Sequence, residues 1–158
     1  MLAGLRVAIG SDRAGAAYHP ILADQLQRHP RVRQVVGVGA ADVPHTYPEV
    51  GFAAAQLIDA GLVDRALLMC HTGLGMAIAA NKVTGVRAVT AHDPLSVEHA
   101  VTHNNAQVLC LGVGVVGVAL ARQLTEEWLT HAYNPASRAA AKLSLIAEFE
   151  HRRQRDSS

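Results

Sequence analysis

Cys70-His71-Thr72-Gly73-Leu74-Gly75-Met76-Ala77-Ile78-Ala79-Ala80-Asn81-Lys82 follows the apolar run Arg65-Ala66-Leu67-Leu68-Met69, and this join decides the fold. A short, continuously apolar run reads as a strand buried on both faces, as a parallel sheet requires. The run ends in a cysteine, turns through Thr-Gly-x-Gly, and passes into an alanine-rich segment that reads as a helix. In parallel α/β sheets the carboxyl ends of the strands are where ligands bind. The turn also leaves backbone N–H groups free at a helix start, aimed at any negative charge on a ligand. A thiol there is a candidate base or nucleophile, because such surroundings favour the thiolate. The plainer reading of Cys70 is a small buried hydrophobe closing a strand.

The same alternation extends in both directions. Strand-like runs are expected at Leu5 to Ile9, Val35 to Val38, Ala66 to Cys70, Arg87 to Thr90 and Gln107 to Leu111. Helical stretches lie at about 16–28, 48–60, 74–82, 94–102, 118–131 and 135–153, with Pro135 in the first turn of the last. Glycines, among them Gly10, Gly15, Gly73, Gly112 and Gly114, sit at the strand-to-helix turns. The expectation is an α/β protein, a three-layer α/β/α sandwich with a five-stranded parallel Rossmann-like sheet and right-handed crossovers. One domain is expected over residues 1–158, with 154–158 frayed. No Gly-x-Gly-x-x-Gly follows the first strand, which argues against a dinucleotide fold.

Composition narrows the function classes. Half of the 158 residues are hydrophobic and 17% are charged, which favours a compact core over disorder. Aromatics supply only 4%, so that core is built from Ala, Val, Leu and Ile. A formal net charge of +1 provides no general field for nucleic acid or membrane. The cysteines, Cys70 and Cys110, fit neither a zinc ribbon nor a redox pair, and Cys110 reads as core. Two such thiols suit a reducing compartment, no run is long enough to span a membrane, and Leu2 to Ile9 reads as a strand rather than a leader. A cytoplasmic location is expected.

Two further segments carry a family resemblance. With Gly10-Ser11-Asp12-Arg13-Ala14-Gly15 and His103-Asn104-Asn105-Ala106-Gln107-Val108-Leu109, the Cys70 segment resembles the ribose-5-phosphate isomerase B family. That family includes galactose-6-phosphate isomerase subunits and isomerases of four-carbon sugar phosphates. The likeness runs in one order from about Arg6 to about Arg153. It implies a cofactor-independent, metal-free aldose–ketose isomerase working through an enediolate. In that reading Cys70 is the proton-abstracting base, and His103 is the acid that opens the sugar ring. Thr72, Gly73, Leu74 and Gly75 cradle the oxyanion, with the Thr72 hydroxyl as a further donor, and Asn104 binds substrate. Arg138 and Lys142, one helical turn apart, hold the substrate phosphate, often across a subunit boundary. On pattern alone those two would be a solvated basic stripe. The resemblance therefore implies a homodimer or a dimer of dimers with shared active sites.

Several positions keep more than one reading. Asp12 either hydrogen-bonds the sugar hydroxyls or only caps the first helix. His71 stands where the family commonly has glycine. It narrows the pocket, tunes Cys70 or faces solvent. Arg13 replaces a common histidine, and Gly114 replaces a common arginine. This pair is either neutral drift or a rearranged phosphate site. His99 and His103 lie one turn apart, but the intervening Ala100-Val101-Thr102 completes no zinc motif. Ribose 5-phosphate/ribulose 5-phosphate is the first expectation for substrate. The alternatives are the four-carbon erythrulose 4-phosphate/erythrose 4-phosphate pair and a non-catalytic sugar-phosphate-binding subunit.

Overall fold

A computed structural model of the chain describes residues 3–39 and 45–158. Strands β1 (Leu5–Ser11), β2 (Val32–Val38), β3 (Arg65–Cys70), β4 (Ala88–Thr90) and β5 (Val108–Gly112) form one parallel sheet in the order β2-β1-β3-β5-β4. Helices α1 (His19–Arg28), α2 (Tyr47–Asp59), α3 (Leu74–Ala80), α4 (Pro94–Thr102) and α5 (Val118–Thr130) connect or follow the strands, and α6 (Ala139–Asp156) ends the chain. The expected five-stranded α/β/α sandwich is present. β3 is central, with every residue buried, and its register sets Leu68 beside Cys110 and Cys70 beside Gly112.

Alternate strand residues feed two cores. On one face Val7, Ile9, Leu67, Met69, Leu109 and Leu111 pack with Leu22 and Leu26 of α1, Val97 of α4, and Leu124 and Trp128 of α5. On the other face Ala8, Ala66, Leu68, Cys70 and Cys110 meet Val50, Ala54 and Ala55 of α2 and Met76, Ala77 and Ala80 of α3. Small residues dominate this second layer, so its helices approach closely. A Cβ on Gly51 would fall 2.8 Å from the Cβ of Ala79. The few aromatics are thus offset by close helix contact rather than by large side chains.

Several boundaries differ from the sequence reading, β2 starting three residues early at Val32 among them, and three of the differences have a visible cause. α1 begins at His19 rather than near residue 16, because Pro20 sets the first helical turn and the Asp12 carboxylate closes the preceding turn on the Gly15 N–H at 2.9 Å. α6 begins at Ala139 rather than Pro135. Asn134 holds a separate turn there, its side-chain oxygen accepting from the Ala136 N–H at 3.0 Å. The polar tail expected to fray is helical to Asp156, tied down by Gln154 donating to the Thr84 hydroxyl at 2.7 Å.

The Gly85 N–H also donates to Glu150 at 3.1 Å, yet no residue of α6 is buried. Leu145, Ile146 and Phe149 are exposed on it. Among the described residues no helix is long and apolar enough to cross a membrane.

Candidate active site

Cys70 is the last residue of β3, at the carboxyl edge of the sheet and 4% exposed. Its sulfur accepts the Gly73 N–H at 3.1 Å. That contact needs a left-handed backbone at Gly73, whose φ is 79°. The Thr90 hydroxyl donates to the Gly73 carbonyl at 2.8 Å and holds the same residue from the other side. Space is equally restrictive: a Cβ at Gly73 would sit 3.0 Å from the Thr90 methyl and 3.2 Å from the Cys110 carbonyl oxygen. The Leu74 N–H donates to the Thr72 hydroxyl oxygen at 3.3 Å. Thr72, Gly73, Leu74 and Gly75 therefore form one tight turn beside the thiol. Cys110 is fully buried, and its burial, with Cys70 nearby, pushes its thiol well above the usual range. It is packing.

The turns after β3 and β5 are joined. The Val113 N–H donates to the Cys70 carbonyl at 3.0 Å, and the Gly114 N–H to the His71 carbonyl at 2.9 Å. A Cβ on Gly112 would lie 2.6 Å from the Thr72 Cα, so glycine is required for this approach. The Gly112 N–H donates to Nε2 of His92 at 3.0 Å, which places that ring's proton on Nδ1. Burial lowers the His92 pKa, although Asp93 partly opposes the shift. The exposed His71 ring covers Gly114: a Cβ there would meet its Cε1 at 2.3 Å and its Nδ1 at 2.6 Å.

Asp12 follows β1 at the same edge. One carboxylate oxygen is committed to the Gly15 N–H. Arg13 is exposed, and its side chain makes no hydrogen bond or ion pair among the described residues. Tyr47 belongs beside this group and was missed in the sequence. Its ring lies against the start of α3, 2.6 Å from where a Gly75 Cβ would stand. Only the fold brings Tyr47 there, and no spacing announces it.

The remaining sequence candidates stand at the opposite edge. α4 starts after the carboxyl end of β4 and runs back to the start of β5, carrying His103 and Asn104 with it. Arg87, just ahead of β4, confirms the placement by donating to the carbonyls of Asn104 and Asn105 at 3.2 and 2.9 Å. The His103 ring stacks on His99 with centroids 4.3 Å apart, and its Nδ1 lies 2.8 Å from the Thr102 hydroxyl. That hydroxyl donates to the Glu98 carbonyl, so it accepts from Nδ1–H and leaves Nε2 open.

α5 also ends at this edge, where Arg65 at the start of β3 donates to the Trp128 and His131 carbonyls. α6 follows and contacts the Thr84–Gly85 turn ahead of β4. Arg138 is the residue just before α6 rather than within it, and Lys142 lies in its first turn. Both are exposed, and neither side chain makes a hydrogen bond or ion pair among the described residues. Within one chain, Cys70 and His103 are thus separated by the length of a strand, on the order of 15 Å.

Comparison with known proteins identifies the family. Residues 7–146 match the Ribose/Galactose Isomerase family. The chain is 52% identical over 148 residues to D-erythrulose-4-phosphate isomerase 2 of Mycolicibacterium smegmatis, covering 92% of this chain and 97% of that protein. It is 34% identical over 150 residues to ribose-5-phosphate isomerase B of Escherichia coli, covering 94% and 98%. The structure of Leishmania infantum type B ribose 5-phosphate isomerase superposes with a TM-score of 0.89 at 32% identity, over 95% of this chain and 99% of that one. The chain belongs to the ribose/galactose isomerase family, and with it to the sugar-phosphate isomerases, intramolecular oxidoreductases that exchange an aldose and a ketose.

Proposed function

We propose that this protein interconverts erythrulose 4-phosphate and erythrose 4-phosphate, in a site shared by two copies of the chain. The observation that carries the reading is the 52% identity to the Mycolicibacterium smegmatis erythrulose-4-phosphate isomerase across nearly all of both chains. The five-carbon ribose 5-phosphate pair is the second reading, supported by the E. coli and L. infantum relatives at 34% and 32% identity.

In the proposed reaction the Cys70 thiolate removes a proton from C1 of the ketose. The electron pair forms the C1–C2 double bond, and O2 becomes the enediolate oxyanion. The Gly73 and Leu74 N–H groups are already engaged by the Cys70 sulfur and the Thr72 hydroxyl. The Thr72 and Gly75 N–H groups are therefore assigned to that charge, where one well-placed donor lowers the barrier by about 3–4 kcal/mol. The thiol returns its proton to C2, and the O1 proton passes to O2. C1 is oxidised and C2 reduced within one molecule, so the balance needs no outside electron carrier. An aldose 4-phosphate cannot close a furanose ring, because its 4-oxygen is esterified. His103 then has no ring to open, and its open Nε2 suits proton exchange between O1 and O2. Asp12, through its second carboxylate oxygen, is assigned to the sugar hydroxyls, and Asn104 also to substrate binding. Arg13, Arg138 and Lys142 are assigned to the phosphate.

A second copy is invoked because the cysteine and the His103, Asn104, Arg138 and Lys142 group lie on opposite edges of one chain. Exposed Leu145, Ile146 and Phe149 give α6 an apolar face to set against that copy. We place the activity in the cytoplasm, where both free thiols stay reduced.

The test is a side-by-side assay of four-, five- and six-carbon aldose phosphates. The highest kcat/KM on the four-carbon substrate is expected. A five-carbon preference would select the second reading, and inactivity of the lone chain on all three would point to a non-catalytic subunit.

A further inference from the structure

His71 and Gly114 occupy one space. Any side chain at 114 starts where the imidazole already lies, with ring atoms 2.3, 2.6 and 3.0 Å from the Cβ position. The adjoining backbones are fixed by the Gly114 N–H to His71 carbonyl bond at 2.9 Å, so the competition is between side chains alone. His71 directly precedes the Thr72–Gly75 turn, and the strand order β1-β3-β5 sets it between the Arg13 turn and the Gly114 turn. Those flanking turns are themselves linked, since the Tyr18 hydroxyl donates to the Val116 carbonyl at 2.8 Å.

A side chain growing from 114 would reach outward on its own stem, whereas the ring stays near the backbone, one residue from Cys70. We propose that His71 is a specificity-determining residue, its ring closing the β5 side of the site and setting the length of sugar phosphate that fits beyond Cys70 at four carbons rather than five. This rests on the isomerase reading of the site. Gly114 is the enabling partner: it is kept small so that the ring can take this seat.

The two positions give independent ways to remove the ring. His71→Ala deletes it. Gly114→Ala displaces it, because the clash falls on the far end of a rotatable side chain and the Gly114 backbone lies outside the left-handed region. Both variants should lower the ratio of kcat/KM on erythrose 4-phosphate to that on ribose 5-phosphate by roughly tenfold, the discrimination one misplaced group in a snug pocket produces. The double variant should be no worse than the worse single one, since both changes remove the same ring. Ratios within twofold of wild type in both singles, or effects that multiply in the double, would overturn the proposal.

Wild-type inactivity on both sugars would be a failure of the isomerase reading instead. Calorimetric binding of erythronate 4-phosphate and ribonate 5-phosphate, acids that mimic the enediolate but cannot isomerise, then decides the matter. Wild type should favour the shorter acid and both variants should lose that preference; equal affinities in wild type and variants would refute the role of His71. Unchanged thermal melting of Gly114→Ala marks it as folded, and its selectivity stands as the deciding result if His71→Ala does not fold.

Discussion

The Gly73 N–H points at the Cys70 sulfur from 3.1 Å, so the turn that forms the cradle also holds the thiol. That hydrogen bond fixes where the sulfur sits relative to the turn. The turn itself is held by its left-handed φ of 79° and by the Thr90 hydroxyl on the Gly73 carbonyl. Sulfur, turn and β4 therefore act as one unit.

Gly73→Ala should break that unit. A left-handed alanine costs about 1–2 kcal/mol, and the Thr90 methyl must also give way. We expect kcat to drop at least roughly tenfold, with KM changed less. A lowered Tm with full kcat would show that the Gly73 N–H has no part in positioning the thiol for catalysis.

Cys70→Ser should abolish nearly all turnover while substrate still binds, because a hydroxyl is too weak an acid to supply the base near neutral pH. More than about a tenth of the wild-type kcat would exclude Cys70 as the base. Iodoacetamide should label Cys70 and spare the buried Cys110, with substrate protecting; peptide mass spectrometry reads both sites.

Because Cys70 and His103 stand at opposite edges of the sheet, mixed oligomers should rescue activity. A Cys70→Ser chain and a His103→Ala or Arg138→Ala/Lys142→Ala chain are each inactive alone. Mixed randomly in a dimer they leave one intact site in each heterodimer, or roughly a quarter of wild-type activity. No rescue after demonstrated subunit exchange would mean that each chain builds its own site.

Acid should weaken the fold through His92 and His19, whose pKa values burial lowers. A lowered histidine pKa means the unfolded chain binds more protons. The stabilisation is complete above the unfolded value, about 6.5, and is lost as pH falls through the folded values. A proton on His92 Nε2 would also displace the Gly112 N–H it now accepts. Urea midpoints should therefore decline below about pH 6.5, and less steeply in His92→Gln. Parallel slopes for the two proteins would remove His92 from this effect.

Arg65→Met should cost about 2–4 kcal/mol, because it leaves the Trp128 and His131 carbonyls without their donor. The guanidinium also lies 5.5 Å from the Trp128 ring centroid, and burial with Arg31's charge lowers its pKa to about 10. Urea denaturation at fixed protein concentration measures the loss, and a change below about 1 kcal/mol would show that other groups satisfy those carbonyls.

Local sequence pattern was enough to place the strands, the sheet type and the cysteine turn. Those depend on local pattern: continuous apolar runs for doubly buried strands, and glycine where the chain turns left-handed at residue 73. It also marked His71 and Gly114 as separate departures from the family. Only the tertiary structure joined them, since positions 43 residues apart meet when β3 and β5 pair. The same holds for Tyr47 against Gly75, and for the late start of α6, where one asparagine side chain redirects the chain. The separation of Cys70 from His103 is likewise a matter of strand and helix direction. A motif records which residues are present; the path of the chain decides which edge of the sheet each one reaches.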